Sequence, residues 1–123
     1  MRRFAILRHH MPPDSVRSSH WDLLFDVGET ALKTWAIHDA PDLPTPQSAL
    51  QLPDHRLVYL DFEGPLDRDR GEVSQWDTGM CRVLTEDAHM WQFLLMGERM
   101  RGSATLRFER AKNEWVYQFT PSD

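Results

Sequence analysis

Apolar and polar residues alternate along most of the chain, which predicts β-strands rather than helices. The segments with this pattern are Arg3–Arg8, His20–Val27, Ala31–Ile37, His55–Phe62, Glu72–Trp76, Met80–Leu84, Trp91–Met96, Ser103–Arg110 and Trp115–Thr120. Gly28 stands between the second and third segments and predicts a β-hairpin there. Four prolines within residues 40–53 predict an irregular connection, and Glu86–Trp91 suits one short helical turn.

Turns are expected at Asp67–Gly71 and at Asp77–Gly79, because both stretches combine Asp with Gly. About eight short strands with frequent turns predict an all-β, mainly antiparallel fold. The expected architecture is a small closed or partly open β-barrel with little helix. A chain of 123 residues fits one domain of this kind, spanning residues 1–123.

The composition bears on the cellular location of the protein and on whether it associates with a membrane. No apolar run approaches the roughly 20 residues that a membrane-spanning helix needs, and the N-terminal segment is too polar for a signal peptide. A single cysteine, Cys81, excludes an internal disulfide. We therefore expect a cytoplasmic monomer with no membrane partner.

The charge distribution bears on nucleic-acid binding. The net charge of −5 argues against a protein that coats a long duplex, because such affinity grows with the number of phosphates neutralised. Residues 1–20 and 97–112 are nevertheless basic, whereas the stretch between them is acidic. Two basic segments could guide one chain end, although ordinary solvated charge explains the same pattern.

His20 and Asp22 are two residues apart on a predicted strand, so their side chains point to the same face. An antiparallel neighbour would bring His9 or His10, at the end of the preceding strand, alongside them. Two histidines and one carboxylate can hold a divalent ion and leave coordination positions open for water and substrate. A hydrogen-bonded surface pair is the other interpretation of His20 and Asp22.

A second polar cluster follows in the predicted strand 55–62, where His55 and Tyr59 share one face with Asp61. An imidazolium and a phenol can both donate hydrogen bonds to a phosphate oxygen without binding a metal. The other interpretation is a barrel strand with a capping histidine and a half-buried tyrosine.

Four of these motifs, taken in order, resemble the 3′-phosphoesterase domain of bacterial DNA ligase D. They are Phe4-Ala-Ile-Leu-Arg-His9, His20-Trp-Asp22, Leu32-Lys-Thr-Trp-Ala36 and Asp54-His55 continuing through Tyr59 to Gly64. The likeness extends from about residue 4 to residue 108. The His-Trp-Asp-Leu version resembles a stand-alone branch of that family rather than the ligase-fused form.

The resemblance implies a compact β-barrel that removes a 3′-phosphate or a 3′-terminal ribonucleoside and leaves a 3′-hydroxyl. It implies manganese as the metal, with zinc or cobalt as alternatives. By position, His9, His20 and Asp22 match the metal ligands, and the register of the first motif selects His9 over His10. His55 and Tyr59 match residues that engage the scissile phosphate. DNA or primer-template 3′ ends would be the substrate, and a DNA ligase or repair polymerase the protein partner.

The chain departs from the ligase-fused form at three positions. Leu24 stands where that form has an arginine, Leu7 where it has a glutamine, and Asp39 where it has a lysine. The loop of residues 10–19 is also longer. Because bidentate arginine contacts to phosphate are hard to replace, other arginines would have to supply the charge, and Arg8, Arg17 and Arg56 are the candidates.

Metal-assisted hydrolysis of a 3′-terminal phosphate ester is the function that these observations favour. A module that binds nucleic-acid ends with little turnover is the first alternative, given the missing arginine. An iron oxygenase is the second, because His20, Asp22 and a distant His55 imitate a facial triad. A metal-free structural barrel is the third.

Overall fold

We describe residues 1–68 and 70–122 of the protein in a computed structural model. The strands are β1 (Arg2–His10), β2 (His20–Phe25), β3 (Ala31–Ile37), β4 (Gln47–Arg56), β5 (Gly64–Pro65), β6 (Glu72–Asp87), β7 (Met90–Gly97), β8 (Arg101–Glu109) and β9 (Glu114–Pro121). A 3₁₀ turn at Leu57–Leu60 is the only helical element in the described part of the chain. No helix among these residues has the length and apolarity to cross a membrane.

The strands close into an antiparallel barrel. They follow the order β1-β2-β3-β4-β9-β8-β7-β6, and β1 also pairs with β6, so eight strands form a complete ring. The short β5 adds to β6 beside this ring. Closure removes the unpaired edges of an open sheet, and it confirms the all-β barrel that the alternating pattern predicts.

The barrel interior is filled largely by aromatic side chains. Phe25 and Phe93 stack with ring centroids 3.9 Å apart, and the fully buried Trp35 meets Trp115 edge to face at 5.5 Å. Trp35 therefore belongs to the barrel core. Each large apolar side chain buried in this way contributes roughly 1.5–3 kcal/mol to folding.

A second apolar cluster lies on the opposite face of β1, β2 and β3. Its buried members are Ala5, Leu7, Leu24, Leu32, Leu60 and Val73. Side chains of β2 alternate between the two clusters, with Leu23 and Phe25 in the barrel interior and Leu24 in the second cluster. In the structure both faces of this strand are buried, because the segment after β4 folds over the outer one.

The structure corrects the interpretation of residues 40–62. The prolines predicted an irregular connection, but β4 begins at Gln47 and accommodates Pro53 where its pairing with β3 is irregular. The predicted strand His55–Phe62 is wrong, since β4 ends at Arg56 and a 3₁₀ turn follows. A strand would point Leu60 and the exposed Val58 to the same side, whereas the turn buries Leu60 alone.

Residues 77–79 do not form a turn, because β6 runs continuously from Glu72 to Asp87. These residues pair regularly with β1, and the register shifts just before them, where Ile6 pairs with Asp77 but Leu7 pairs with Gln75 and Trp76 is left unpaired. The Asp77 carboxylate is buried and accepts hydrogen bonds from the backbone N–H groups of Thr78, Arg99 and Met100. Asp77 therefore anchors the turn that follows β7.

The short helical turn predicted at Glu86–Trp91 is also wrong. β6 extends to Asp87, and β7 resumes at Met90 after a two-residue hairpin turn. The N–H of His89 donates to the Asp87 carboxylate within this turn. Trp91 follows on β7 and packs against the interior cluster.

Candidate metal centre

Two adjacent strands bring His9, His20 and Asp22 together at one end of the barrel. His9, near the end of β1, pairs directly with His20 at the start of β2. Asp22 lies two residues further along β2 and therefore on the same face as His20. All three side chains are buried, with 7%, 4% and 4% of their surfaces exposed.

The hydrogen bonds of His9 fix which ring nitrogen carries a lone pair. Its Nε2 lies 2.7 Å from the carbonyl oxygen of Arg70, which can only accept, so Nε2 donates. In the neutral ring, Nδ1 is then an acceptor, and it faces Oδ2 of Asp22 at 3.3 Å. Two acceptors in contact need a proton or a cation between them.

His20 has the same arrangement with its two nitrogens exchanged. Its Nδ1 donates to the Ser18 carbonyl at 3.0 Å, which leaves the lone pair of the neutral ring on Nε2. Nε2 lies 3.2 Å from Oδ1 of Asp22. That buried oxygen nevertheless has no hydrogen-bond partner among the described residues. A buried carboxylate oxygen without a partner is costly unless something else satisfies it.

The ionisation of the cluster follows from these contacts. Burial raises the pKa of Asp22, but the imidazoles of His20 and His9 outweigh this effect and lower the pKa to about 2. The Asp22 carboxylate raises the pKa of His9, while burial and the charge of Arg17 oppose that rise. Asp22 is therefore an anion at neutral pH, as a metal ligand must be.

The distances suit a small divalent ion. The three ligand atoms lie within 4.8 Å of one another. Around an ion with bonds of about 2.1 Å, neighbouring ligand atoms stand roughly 3.0–3.5 Å apart. The contacts of Asp22 with His9 and His20, at 3.3 and 3.2 Å, fall in this range. The backbone carbonyls that orient both rings complete the usual surroundings of a histidine-bound metal.

His55 and Tyr59 line the same groove as the three buried residues. This groove has a volume of about 580 Å³. The His55 ring meets the Tyr59 ring edge to face, with centroids 5.7 Å apart, and its Nδ1 donates to the Pro53 carbonyl at 2.9 Å. The Nε2 of His55 has no such bond among the described residues. His55 is not part of the compact three-residue cluster, which His9 completes instead.

The candidate arginines divide into two groups. Arg17 and Arg56 line the groove, and so does Arg70, which the sequence did not single out. The guanidinium of Arg8 instead lies 3.9 Å from the centroid of the Trp21 ring, away from the groove lining. Leu24 is fully buried in the second apolar cluster, so it offers no polar group to the groove.

Two backbone carbonyl groups that position the histidine rings could not be predicted from the sequence. The carbonyls of Ser18 and Arg70 orient the two histidine rings. Any residue type carries such a carbonyl, so no sequence pattern marks them.

Asp39 lies in the turn after β3, where Gln47 bridges its backbone N–H and carbonyl, and it does not line the groove.

Fold and site together define a small closed β-barrel with a two-histidine, one-carboxylate cluster that lines a surface groove. The family described as the DNA Ligase D 3′-phosphoesterase domain matches residues 8–107. The chain belongs to this family, as the order of its motifs predicts.

A stretch of 109 residues is 32% identical to the multifunctional non-homologous end joining protein LigD of Pseudomonas aeruginosa. The similarity covers 80% of this chain but 13% of that protein, so the chain spans only a small part of this relative's length.

Proposed function

We propose that the protein is a divalent-metal-dependent phosphoesterase that processes the 3′ ends of DNA or RNA. The observation that carries this proposal is the buried Asp22 oxygen that lacks a hydrogen-bond partner while two histidine lone pairs face the same carboxylate. Membership of the 3′-phosphoesterase domain family supports the choice of reaction.

Nδ1 of His9, Nε2 of His20 and the Asp22 carboxylate would hold the metal. The bound ion would supply positive charge to a phosphate oxygen and stabilise the additional charge of the transition state. Manganese is the ion we propose, with zinc or cobalt as alternatives, because imidazole and carboxylate ligands suit all three.

His55 and Tyr59, which line the same groove, would act on the phosphate. A water oxygen forms a bond to phosphorus, the bond from phosphorus to the 3′ oxygen breaks, and protonated His55 gives its Nε2 proton to that oxygen. The proton of the attacking water passes to solvent. Tyr59 would donate a hydrogen bond to a phosphate oxygen.

The relative named for non-homologous end joining suggests DNA breaks as the setting. A DNA ligase, which needs the 3′-hydroxyl that this reaction leaves, or a repair polymerase would be the corresponding partner. We further propose that the protein acts as a cytoplasmic monomer on the strand end.

The test is an end-processing assay on primer-templates that carry a 3′-phosphate or one 3′-ribonucleotide. Manganese, zinc, cobalt and a chelator are compared side by side. We expect release with manganese and none with the chelator. His20→Ala and Asp22→Ala should lower the rate by about 100-fold or more, whereas His89→Ala, at an exposed histidine outside the groove, should not. Full activity of either ligand variant would refute the metal assignment.

The second candidate function is a module that binds nucleic-acid ends without turnover. The burial of Leu24 favours it, because that position brings no arginine to the groove. Wild-type protein that binds a 3′-phosphate end in manganese but never releases the phosphate would establish this alternative.

A further inference from the structure

The outer face of β6 and β7 carries apolar side chains at positions where a solvent-facing strand is ordinarily polar. The inward side chains of β7, such as Phe93 and Leu95, fill the barrel interior. The outward positions that alternate with them nevertheless include Leu94 and Met96, and Met96 is paired with Met80 of β6. Met80 and Met96 are 40% and 38% exposed. The neighbouring outward positions of β8 and β9 are polar, namely Ser103, Thr105, Gln118 and Thr120.

Two methionines and two arginines form one row across four strands. Met80 on β6 pairs with Arg3 of β1 on one side and with Met96 of β7 on the other. Met96 in turn pairs with Arg101 of β8. Directly paired residues of antiparallel strands point to the same face, so the methionines stand between the arginines. Because neighbouring strands are about 4.8 Å apart, the row is roughly 14 Å long.

A second arginine row lies beside the first, and its charge is also without an acidic partner. Arg82 of β6 is exposed and pairs with Leu94 of β7. Neither Arg82 nor Arg101 forms an ion pair with the part of the chain that the structure describes. Nε of Arg101 donates to the Gly97 carbonyl at 3.2 Å, which orients the guanidinium without neutralising it. The face therefore combines an apolar strip with unpaired positive charge.

We propose that this outer face of β6, β7 and β8 is a docking surface for an acidic, amphipathic segment of a partner protein. Exposed apolar patches rimmed by polar groups mark interaction sites. Methionine and arginine are also among the residues in which the cores of protein interfaces are enriched. Met80 and Met96 would adapt to the apolar residues of the partner, and Arg82 and Arg101 would select carboxylates by charge complementarity.

The methionines favour a protein over a nucleic acid as the occupant. A thioether is a weak hydrogen-bond acceptor, and phosphate oxygens are acceptors too, so Met80 and Met96 offer nothing to a nucleic-acid backbone. Burial of their apolar surface requires apolar side chains on the partner. Glutamate and aspartate beside those side chains would then meet the arginines.

The docking surface is separate from the groove that contains the metal centre. Among the described residues, those that line the groove come from β1, β2, β4, the start of β6 and the loops and 3₁₀ turn between these strands. None of them lies on β7 or β8. A partner can therefore bind to the outer face while a ligand occupies the groove, whether or not the groove is catalytic.

The test measures the affinity of the wild-type protein for three fluorescent peptides by anisotropy. Each peptide is about 15 residues long, which gives roughly four helical turns. The first has leucine on one helical face and glutamate on the other. The second has lysine in place of glutamate, and the third contains the residues of the first in a non-amphipathic order. We expect the first peptide to bind about tenfold more tightly than either of the others.

Variants of the face separate the apolar contribution from the charged one. Met80→Ser and Met96→Ser should each weaken binding of the glutamate peptide by about threefold or more, because each removes apolar contact area. Arg82→Ala combined with Arg101→Ala should weaken it by about tenfold. Arg82→Glu combined with Arg101→Glu should instead make the lysine peptide the preferred one. This reversal cannot result from a general loss of folding.

Two exposed residues outside the face provide matched controls. Leu43→Ser removes an apolar side chain that is 46% exposed in the connection between β3 and β4. Arg110→Ala removes an exposed arginine from the turn between β8 and β9. Neither variant should change the affinity for any of the three peptides.

NMR of the methionine methyl groups locates the bound peptide. We expect the glutamate peptide to shift the signals of Met80 and Met96 and to leave Met11, which lines the groove, unchanged. A shift at Met11 alone, equal affinity for the three peptides, or no binding would overturn the proposal. Tighter binding of duplex DNA than of the glutamate peptide, lost in the same variants, would assign the face to nucleic acid instead. A dimer in solution that Met96→Ser dissociates would assign it to a second copy of this chain.

Discussion

Nδ1 of His9 faces Oδ2 of Asp22 at 3.3 Å although, with the ring neutral, both atoms are hydrogen-bond acceptors. The reason is that the single N–H of the neutral ring is on Nε2, which donates to the Arg70 carbonyl at 2.7 Å. The fold thus holds an acceptor pair in a buried position where only a proton or a cation can join them.

This relationship predicts that a divalent ion stabilises the folded protein. Manganese at 100 times its dissociation constant should add about 2.7 kcal/mol to the free energy of unfolding. Asp22→Asn, which keeps the shape but removes the charge, should abolish most of this increase. Urea unfolding with and without manganese measures it, and His89→Ala serves as the control. An equal increase in wild type and Asp22→Asn would place the ion elsewhere.

His55 and Tyr59 should affect turnover without affecting the metal. We expect His55→Ala to lower the rate of phosphate release by about 100-fold, since proton transfer by a placed side chain contributes on that order or more. Tyr59→Phe removes only a hydroxyl and should cost about tenfold. The manganese-induced stabilisation should stay unchanged in both variants. A variant that loses this stabilisation would show that its residue supports the metal centre rather than the phosphate.

His55 and Tyr59 also show which part of the structure could be predicted from the sequence and which part could not. Side chains four residues apart on a strand are separated by about 13 Å, too far to meet at one phosphate oxygen. His55 and Tyr59 are nevertheless in contact, because the chain turns after Arg56. The alternating pattern predicted a strand, whereas the backbone forms a 3₁₀ turn that buries Leu60 in the second apolar cluster.

The proximity of His9, His20 and Asp22 was more accessible to prediction. The spacing of His20 and Asp22 is local, and a strand places them on one face whatever surrounds it. His9 required one further step, the antiparallel pairing of β1 with β2. Arg70 could not be predicted, because it reaches the groove through a loop whose path depends on the closed barrel.

A pH-dependent prediction concerns the segment that carries Tyr59. Both terminal guanidinium nitrogens of Arg3 donate to Asp61, and these hydrogen bonds lower the pKa of Asp61. A depressed pKa adds stability above the unfolded value of about 3.9, and this is lost as pH falls through the folded value. Asp61→Asn should therefore reduce the urea midpoint slightly at pH 6, and the difference from wild type should shrink below about pH 4.

Asp67→Asn removes a carboxylate that forms no ion pair with the described residues and is the matched control for Asp61→Asn. A difference that stayed constant down to pH 2 would show that the Arg3–Asp61 contact does not contribute through its charge.

The thiol of Cys81 should be unreactive in the folded protein. Burial raises the pKa of Cys81 to about 11, and the side chain is fully enclosed. At pH 8 only about one thiol in a thousand would be ionised, and thiolate is the reactive form. A colorimetric thiol reagent should react slowly in buffer and rapidly in urea, with a rate that rises with pH. Fast reaction in buffer would mean that the strands around Cys81 open readily.

Restoring the arginine of the ligase-fused form should harm this protein rather than improve it. Leu24→Arg places an unpaired charge in a fully buried position beside Leu7, which we expect to cost about 3–5 kcal/mol. Leu24→Met, which conserves volume, should cost less than about 1.5 kcal/mol. Leu7→Gln added to Leu24→Arg should recover part of the loss, because the two side chains share one cluster and their effects should not add. Urea unfolding of wild type, Leu24→Arg, Leu7→Gln and the double variant measures this coupling. A Leu24→Arg protein as stable as wild type would contradict this expectation and would mean that the buried position beside Leu7 can admit a charge.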